Sequence, residues 1–427
     1  MRYKTPPADL FNKSRKKIKA KLAPHSLVLV FSADLLPRNG DQYHTYRQDS
    51  DFYYLTGIDQ EMSILAFAPD HPNEEMREML FLRETNEHIA VWEGERYTKA
   101  EAREQAGIAN VQWLEAWEDM LPQLLVHTHQ VYLNFNENPR FHLKTRLPSE
   151  RMAERLRKHY PGHPIKRLAP LLEEARLRKE NEEIDQIREA CRITGDAFKR
   201  IAKELKPGFM EYEVEALMSY EFIRQGGSGH AFTPIVASGQ NACVLHYITN
   251  NHVCTDGELV LLDFGTEYGN YASDCSRTLP VNGKFTKRQR AIYEAVLRVF
   301  KQARQLMVPG NTIGEIHRQT LEWLQDEHIE LGLYSLEDLH QQDVAHPLVK
   351  KYYPHGTAHF MGLDVHDVGG KNIVLQEGMV LTCEPGIYIP EEGIGIRLEN
   401  DILVAPEPID LMEHIPIEPD DIEKIMR

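Results

Sequence analysis

The chain carries one structural plan twice, and that repeat constrains its fold more than any other feature. Between residues 180 and 277, Ile184, Ile187, Cys191, Thr194, Phe198, Ile201 and Leu205 recur three and four apart, the spacing of one helix face. That run stops at Lys206-Pro207-Gly208, a second helix is expected over about 211–225, and a Gly-rich loop leads into a hairpin. Between 286 and 403 the order recurs. Thr286 with Gln289 reads as a capping box, and Ile292, Val296, Val299, Ala303 and Leu306 form the buried face. Val308-Pro309-Gly310 ends this helix, and Thr312 with Glu315 opens another, to about Glu330. The expectation is a duplicated α+β domain whose two halves face each other.

Each copy ends in a hairpin that places acids where apolar strands should be buried. The first is LVLLDFGTEYGNYASDCSRTL, residues 259–279, with Asp263 and Asp274. The second is MVLTCEPGIYIPEEGIGIRLENDILV, residues 379–404, with Glu384 and Glu399. A two-residue turn at Tyr268-Gly269 would set Asp263 opposite Asp274. A turn centred on Glu391-Glu392 would set Glu384 opposite Glu399. A one-residue slip or a longer loop breaks either pairing. Like charges facing each other destabilise a sheet, and four carboxylates in an apolar setting require protons or cations. A solvated face is the plain alternative; its occurrence twice, at matching positions, argues against it.

Between the hairpins, PHGTAHFMGLDVHDVGG at 354–370 holds His355, His359 and His366. The segment lacks His-Glu-x-x-His, and its glycines oppose a helical zinc site. Carboxylates with one or two imidazoles form a mostly hard donor set. It suits two divalent ions, Mn²⁺ foremost, with Co²⁺, Zn²⁺ or Fe²⁺ as alternatives.

Residues 1–172 alternate strand-like pieces (27–32, 63–68, 79–82, 131–135) with helix-like ones (98–106, 149–159), the pattern of an α/β domain without a catalytic constellation. The boundary to the second domain, 173–427, is placed after residue 172. A net charge of −16 opposes nucleic-acid binding. The basic run Lys13–Lys21 reads as a solvated helix face. No apolar run reaches the roughly 20 residues of a membrane span, and LVLVF at 27–31 is too short for a signal-peptide core. The five cysteines form no Cys-x-x-Cys, which points to free thiols in a reducing cytoplasm. Cys275 and Cys383 each neighbour one of the acids, but adjacent strand residues face opposite ways, so both read as packing.

The ordered set Asp263 (LLDFG), Asp274 (ASDCSRT), His359 (HGTAHFMGLDVHDVG), Glu384 (MVLTCEPGIYI) and Glu399 (GIGIRLENDILV) resembles the methionine aminopeptidase and prolidase superfamily of metallopeptidases. Within it the chain is most similar to the bacterial Xaa-Pro aminopeptidases (aminopeptidase P), and NGDQYHTYRQDSDFYYLTG at 39–57 resembles their accessory domain. The resemblance implies a creatinase-like N-terminal domain and a duplicated "pita-bread" catalytic domain.

It also implies roles. Asp263 would chelate a first metal, Asp274 and Glu399 would bridge both, and His359 and Glu384 would complete the second. His246 (VLHYITN), His355, His366 and Arg397 would lie on the substrate side, and Tyr388 behind the ligands. The implied reaction releases the N-terminal residue from peptides with proline second, through a hydroxide shared by the metals. Glu384 would shuttle the proton, His366 would stabilise the oxyanion, and His246 would position substrate. For Arg397, a grip on the substrate's downstream carboxylate or carbonyl and a salt bridge to a ligand acid both stay open. Prolidase action on Xaa-Pro dipeptides is the nearest alternative. Metal-free creatinase and a non-catalytic binding module both predict lost ligands. The implied partners are Xaa-Pro peptides and further copies of the chain, as dimer or tetramer, with no nucleic acid or membrane. Asp41 and Trp92 are candidates to reach a neighbouring site, with ordinary packing as the alternative for Trp92.

Overall fold

The computed structural model describes residues 3–138, 141 and 144–427. The chain divides into two compact units, Thr5–Arg176 and Leu177–Arg427, the second also taking in Tyr3 and Lys4. The boundary expected after residue 172 lies four residues before this division, and both fall within the helix Ala169–Leu177.

The N-terminal unit is built on a six-stranded mixed sheet. Its order is Asn110–Trp113, Glu78–Leu82, Ile64–Phe67, Ser26–Phe31, Gln130–Leu133, Ile165–Arg167. Ser26–Phe31 is buried at every position, pairing antiparallel with Ile64–Phe67 and parallel with Gln130–Leu133. A strand covered on both faces reads as a continuous apolar run, which is why it was legible in the sequence. The strands Asn110–Trp113 and Ile165–Arg167 were not expected; NVQW alternates but spans only four residues, and IKR has a single apolar residue.

The basic run lies at the end of the helix Ala8–Lys19, yet Arg15 within it is buried, donating to the carbonyls of Leu55 and Ala106 and pairing with Glu78. Only part of that face is therefore solvated. The helix Glu87–Glu93 buries none of its residues, and Trp92 is 80% exposed, so ordinary packing does not account for it.

In the larger unit both copies of the plan are present. The helix Asn181–Glu204 buries Ile184, Ile187, Cys191, Thr194, Phe198 and Ile201, the face read from spacing, and Glu211–Arg224 follows. In the second copy, Lys287–Gln305 opens with the Thr286–Gln289 capping box. Leu306 is only half-buried at the helix end, and Met307 takes the buried place. At Ile313–Glu330, Thr312 accepts from the Glu315 N–H as expected. The reciprocal arm is supplied instead by Asn311, whose side chain takes the Thr312 N–H, while Glu315 pairs with Arg318.

The first hairpin turns one residue later than expected. Tyr268 pairs with Tyr271 around Gly269 and Asn270, with φ of +58° and +65°. Both central residues are left-handed, as a type I′ turn demands, and Asn tolerates that region where Tyr does not. Asp263 therefore faces Ser276 and not Asp274. Moving a turn by one residue moves each partner by two, so Asp274 keeps the face of Ser276 and stands diagonal to Asp263. At the seam the strands nearly touch: a Cβ on Gly265 would lie 1.7 Å from the Ser273 carbonyl oxygen.

The second hairpin keeps the expected register. Cys383 faces Asn400 and Gly386 faces Arg397, which leaves Glu384 and Glu399 in line across the break between two ladders. Its loop is Pro390–Gly393, a 3₁₀ turn ending in left-handed Gly393, longer than the expected turn but with the same centre. An isolated bridge between Ser276 and Glu399 joins the two hairpins.

Candidate metal centre

That bridge brings the acids together. The Glu399 N–H donates to the Ser276 carbonyl at 3.1 Å, and the Ser276 hydroxyl donates to Glu399 Oε2 at 2.6 Å. Asp274, His359 and Glu399 each direct one ligand atom into a cluster within which all these atoms lie inside 4.8 Å of one another. His359 Nε2 is 3.5 Å from Asp274 Oδ2 and 3.9 Å from Glu384 Oε1. Its Nδ1 faces the Phe360 carbonyl at 3.1 Å, which puts the ring proton on Nδ1 and the Nε2 lone pair toward the acids. The His359 N–H donates to the Thr382 hydroxyl, fixing the backbone beneath the ring.

Asp263 joins through Arg397, whose guanidinium donates to Asp263 Oδ2 at 2.6 Å, to the Ser276 hydroxyl at 2.8 Å and to the Tyr388 hydroxyl at 2.9 Å. Of the two roles left open for Arg397, the structure shows the salt bridge. All three of its nitrogens are engaged inside the protein, so a grip on substrate would have to compete with them. Tyr388 in turn donates to His355 Nε2 at 2.8 Å, because His355 Nδ1 gives its proton to the Gly356 carbonyl. Burial first, then Arg397, pull His355 down to about 3, so the ring is neutral.

The electrostatics are those of a cation site. Burial and the nearby carboxylates, Glu399 first, hold the Asp274 carboxyl well above its ordinary range. The same two causes raise Glu384, against the pull of Arg397. Glu399 is raised by burial and by Asp263. Asp263 Oδ1 and Asp274 Oδ1 are buried without a hydrogen-bond partner among the described residues. Leaving such atoms unmade costs about 1–3 kcal/mol each, more when charged. A divalent cation would satisfy both, and the carboxylate-plus-imidazole set matches what hard divalent ions take. The residues present therefore fit a metal.

The remaining expected residues sit around this cluster. The His366 ring stands edge-on to His359 with centroids 4.5 Å apart. Its segment is clamped by a fully buried pair, Lys179 Nζ to Asp367 Oδ2 at 2.9 Å. His246 is exposed on the loop after the 3₁₀ turn Gly239–Cys243, within electrostatic reach of His355. Asp41 and Trp92 belong to the N-terminal unit, both exposed. Cys275 and Cys383 are fully buried, as packing predicts, and burial raises both thiols.

Sequence reasoning missed Ser276 and Asp401. Ser276 joins Glu399 and Arg397, and Asp401 accepts the Asp274 N–H at 3.1 Å and the Cys191 thiol at 3.3 Å. Both stand two residues from a ligand acid on a strand, so alternation alone would have found them.

The sequence pattern of Metallopeptidase family M24 matches residues 185–406, and that of the aminopeptidase P N-terminal domain matches 11–132. The chain is 34% identical to an Xaa-Pro aminopeptidase of Haemophilus influenzae, over 98% of this chain and 97% of that one. It superposes on Pseudomonas aeruginosa aminopeptidase PepP with a TM-score of 0.88 at 33% identity, covering 98% of each chain. A zinc-substituted aminopeptidase P of Escherichia coli in complex with product gives the same TM-score, identity and coverage.

Proposed function

Because the chain belongs to metallopeptidase family M24, we propose that it is an Xaa-Pro aminopeptidase, a metal-dependent hydrolase that releases the N-terminal residue from peptides with proline second. The observation that carries this reading is the convergence of acids and imidazole from two hairpins and the segment between them.

In this reading Asp263, Asp274, His359, Glu384 and Glu399 would together hold two divalent ions. Mn²⁺ is our first assignment, and a zinc-substituted relative supports divalent binding in general. When bound, such ions supply a water of lowered pKa and polarise the scissile carbonyl. The chain's own groups do the rest. Glu384 takes the proton released by the attacking water and delivers it to the leaving proline nitrogen. His366, beside His359, donates to the oxyanion as it forms. His246 and neutral His355 orient the peptide. Arg397 sets the direction of Asp263 and Tyr388 and is assigned to the ligands, not to the substrate.

We further assign the N-terminal unit an accessory role in self-association to a dimer or tetramer. Exposed Val91 and Trp92 (79% and 80%) support this reading, and Asp41 is the second candidate to reach a neighbouring copy. The five free cysteines support a cytoplasmic location. Among the described residues no helix is long and apolar enough to cross a membrane.

The test is hydrolysis of Gly-Pro and of Gly-Pro-Xaa tripeptides by metal-stripped protein with and without Mn²⁺. Metal-dependent tripeptide cleavage is expected. Cleavage of the dipeptide alone would move the assignment to prolidase. Cleavage of neither, with metal bound, would overturn it.

A further inference from the structure

Glu211 is the first residue of the helix Glu211–Arg224 and is fully buried, yet among the described residues no lysine, arginine or histidine forms an ion pair with it. Five donors surround its carboxylate instead. Oε1 accepts from the Ser238 N–H at 2.7 Å, the Ser238 hydroxyl at 2.8 Å and the Asn241 amide at 3.2 Å. Oε2 accepts from the Tyr247 hydroxyl at 2.8 Å and the His252 N–H at 2.9 Å. Every donor belongs to one segment, residues 238–252, and His246 lies inside it.

A buried carboxylate without a cation persists only if hydrogen bonds replace its water. Burial opposes its charge here, but the bonds from Ser238, His252 and Tyr247 outweigh it and hold the carboxyl below its ordinary range. The same helix secures the segment's far end, where Asn250, itself left-handed, donates to Glu215 and to the Pro234 carbonyl. On the opposite side the segment rests on the second hairpin. Gln240 donates to the Pro390 carbonyl at 3.1 Å and the Cys243 thiol to that of Ile394 at 3.5 Å. The imidazole of His246 is exposed, so its position is set by how rigidly the backbone of its segment is held.

We propose that Glu211 is a positioning residue that fixes residues 238–252 as one body and thereby places His246 for substrate. This rests on the aminopeptidase reading above, in which His246 orients the peptide. Glu211→Gln preserves shape but sets an amide N–H₂ against donors. It is expected to lower kcat/KM about tenfold, chiefly through KM, with metal content unchanged. Tyr247→Phe removes one bond and is expected to act in the same direction by about threefold.

A double-mutant cycle separates positioning from general support. In a His246→Ala background Glu211→Gln should change kcat/KM by less than about twofold, because the group it places is gone. An equal loss in both backgrounds, or no loss in either, overturns the proposal. Should Glu211→Gln not fold, Tyr247→Phe completes the same cycle. Amide hydrogen exchange over 239–251 reads the anchoring without any substrate, and faster exchange in the variant is expected. Unchanged exchange overturns the proposal even if the wild type cleaves no Xaa-Pro peptide, an outcome that would separately sink the functional reading.

Discussion

The first hairpin turns through two left-handed residues, Gly269 and Asn270, whereas the second turns through Pro390–Gly393 with only its last residue left-handed. The two acids of the first hairpin also differ from each other in support. Asp263 on the first is paired with Arg397 from the second, but Asp274 has no lysine or arginine ion pair among the described residues. A carboxylate that already has a protein cation is compensated before any metal binds, whereas one that lacks it is not. Arg397 thus compensates Asp263 at 2.6 Å and reaches Glu399 only at 3.9 Å, while burial and mutual repulsion favour protonation of Asp274, Glu384 and Glu399.

The largest expected effect lies where the hairpins cross. Glu399→Gln keeps the Ser276 hydrogen bond possible but removes a charge from the shared position. Activity on Gly-Pro-Xaa should fall at least about 10³-fold, the scale of several kcal/mol of lost charge stabilisation. Elemental analysis should show fewer than two ions retained per chain. Full metal content with full activity would remove Glu399 from the centre.

The asymmetry in support gives the next effect, of opposite sign on the two strands. In metal-stripped protein Asp263→Asn leaves Arg397 buried beside a neutral amide and should destabilise by about 3 kcal/mol, the scale of breaking a buried pair. Asp274→Asn removes a buried carboxyl that has no cation and should raise the stripped protein's urea midpoint. Matching shifts for the two variants would break the comparison.

A third effect separates the two halves by pH. The first half buries an anion, Glu211, and the second a neutral histidine, His328, fully buried between Tyr334 and Tyr352. Burial pulls His328 down to about 4 from an ordinary 6.5. Its folded pKa lies below its unfolded one. The stability tied to its neutral form is therefore present above pH 6.5 and lost as pH falls toward 4. His328→Phe should flatten that fall, retaining about 2 kcal/mol at pH 5 relative to wild type. An unchanged slope in urea titrations at pH 7 and 5 would refute it.

What the sequence revealed follows the same physical line. Helix faces were legible because burial repeats every three to four residues over long runs, as in Asn181–Glu204. The acids' shared face was legible because parity survives a turn shifted by one; their direct pairing in the first hairpin was not, because it depends on the turn itself. Glu211 was invisible for another reason. Its five donors lie 27 to 41 residues further along, and in the sequence it looks like any glutamate after a Pro-Gly stop.

The turn supplies the smallest effect and the sharpest check of why the two registers differed in legibility. YGNY admits turns at Tyr268-Gly269 or Gly269-Asn270, and the left-handed φ of both central residues selects the second. Asn270→Ala retains the chain length but places a β-carbon in that region without the side-chain bond to Tyr3 at 3.2 Å. It should lose about 1 kcal/mol. Glu391→Ala, in the exposed loop of the second hairpin, forgoes only a surface pair with Lys351 and should stay within about 0.5 kcal/mol of wild type. If the two variants lose equal stability, the register of the first hairpin is not set by its turn. The ladder from Leu259 to Phe264 against Cys275 to Pro280 would then fix it alone, and the turn would merely follow.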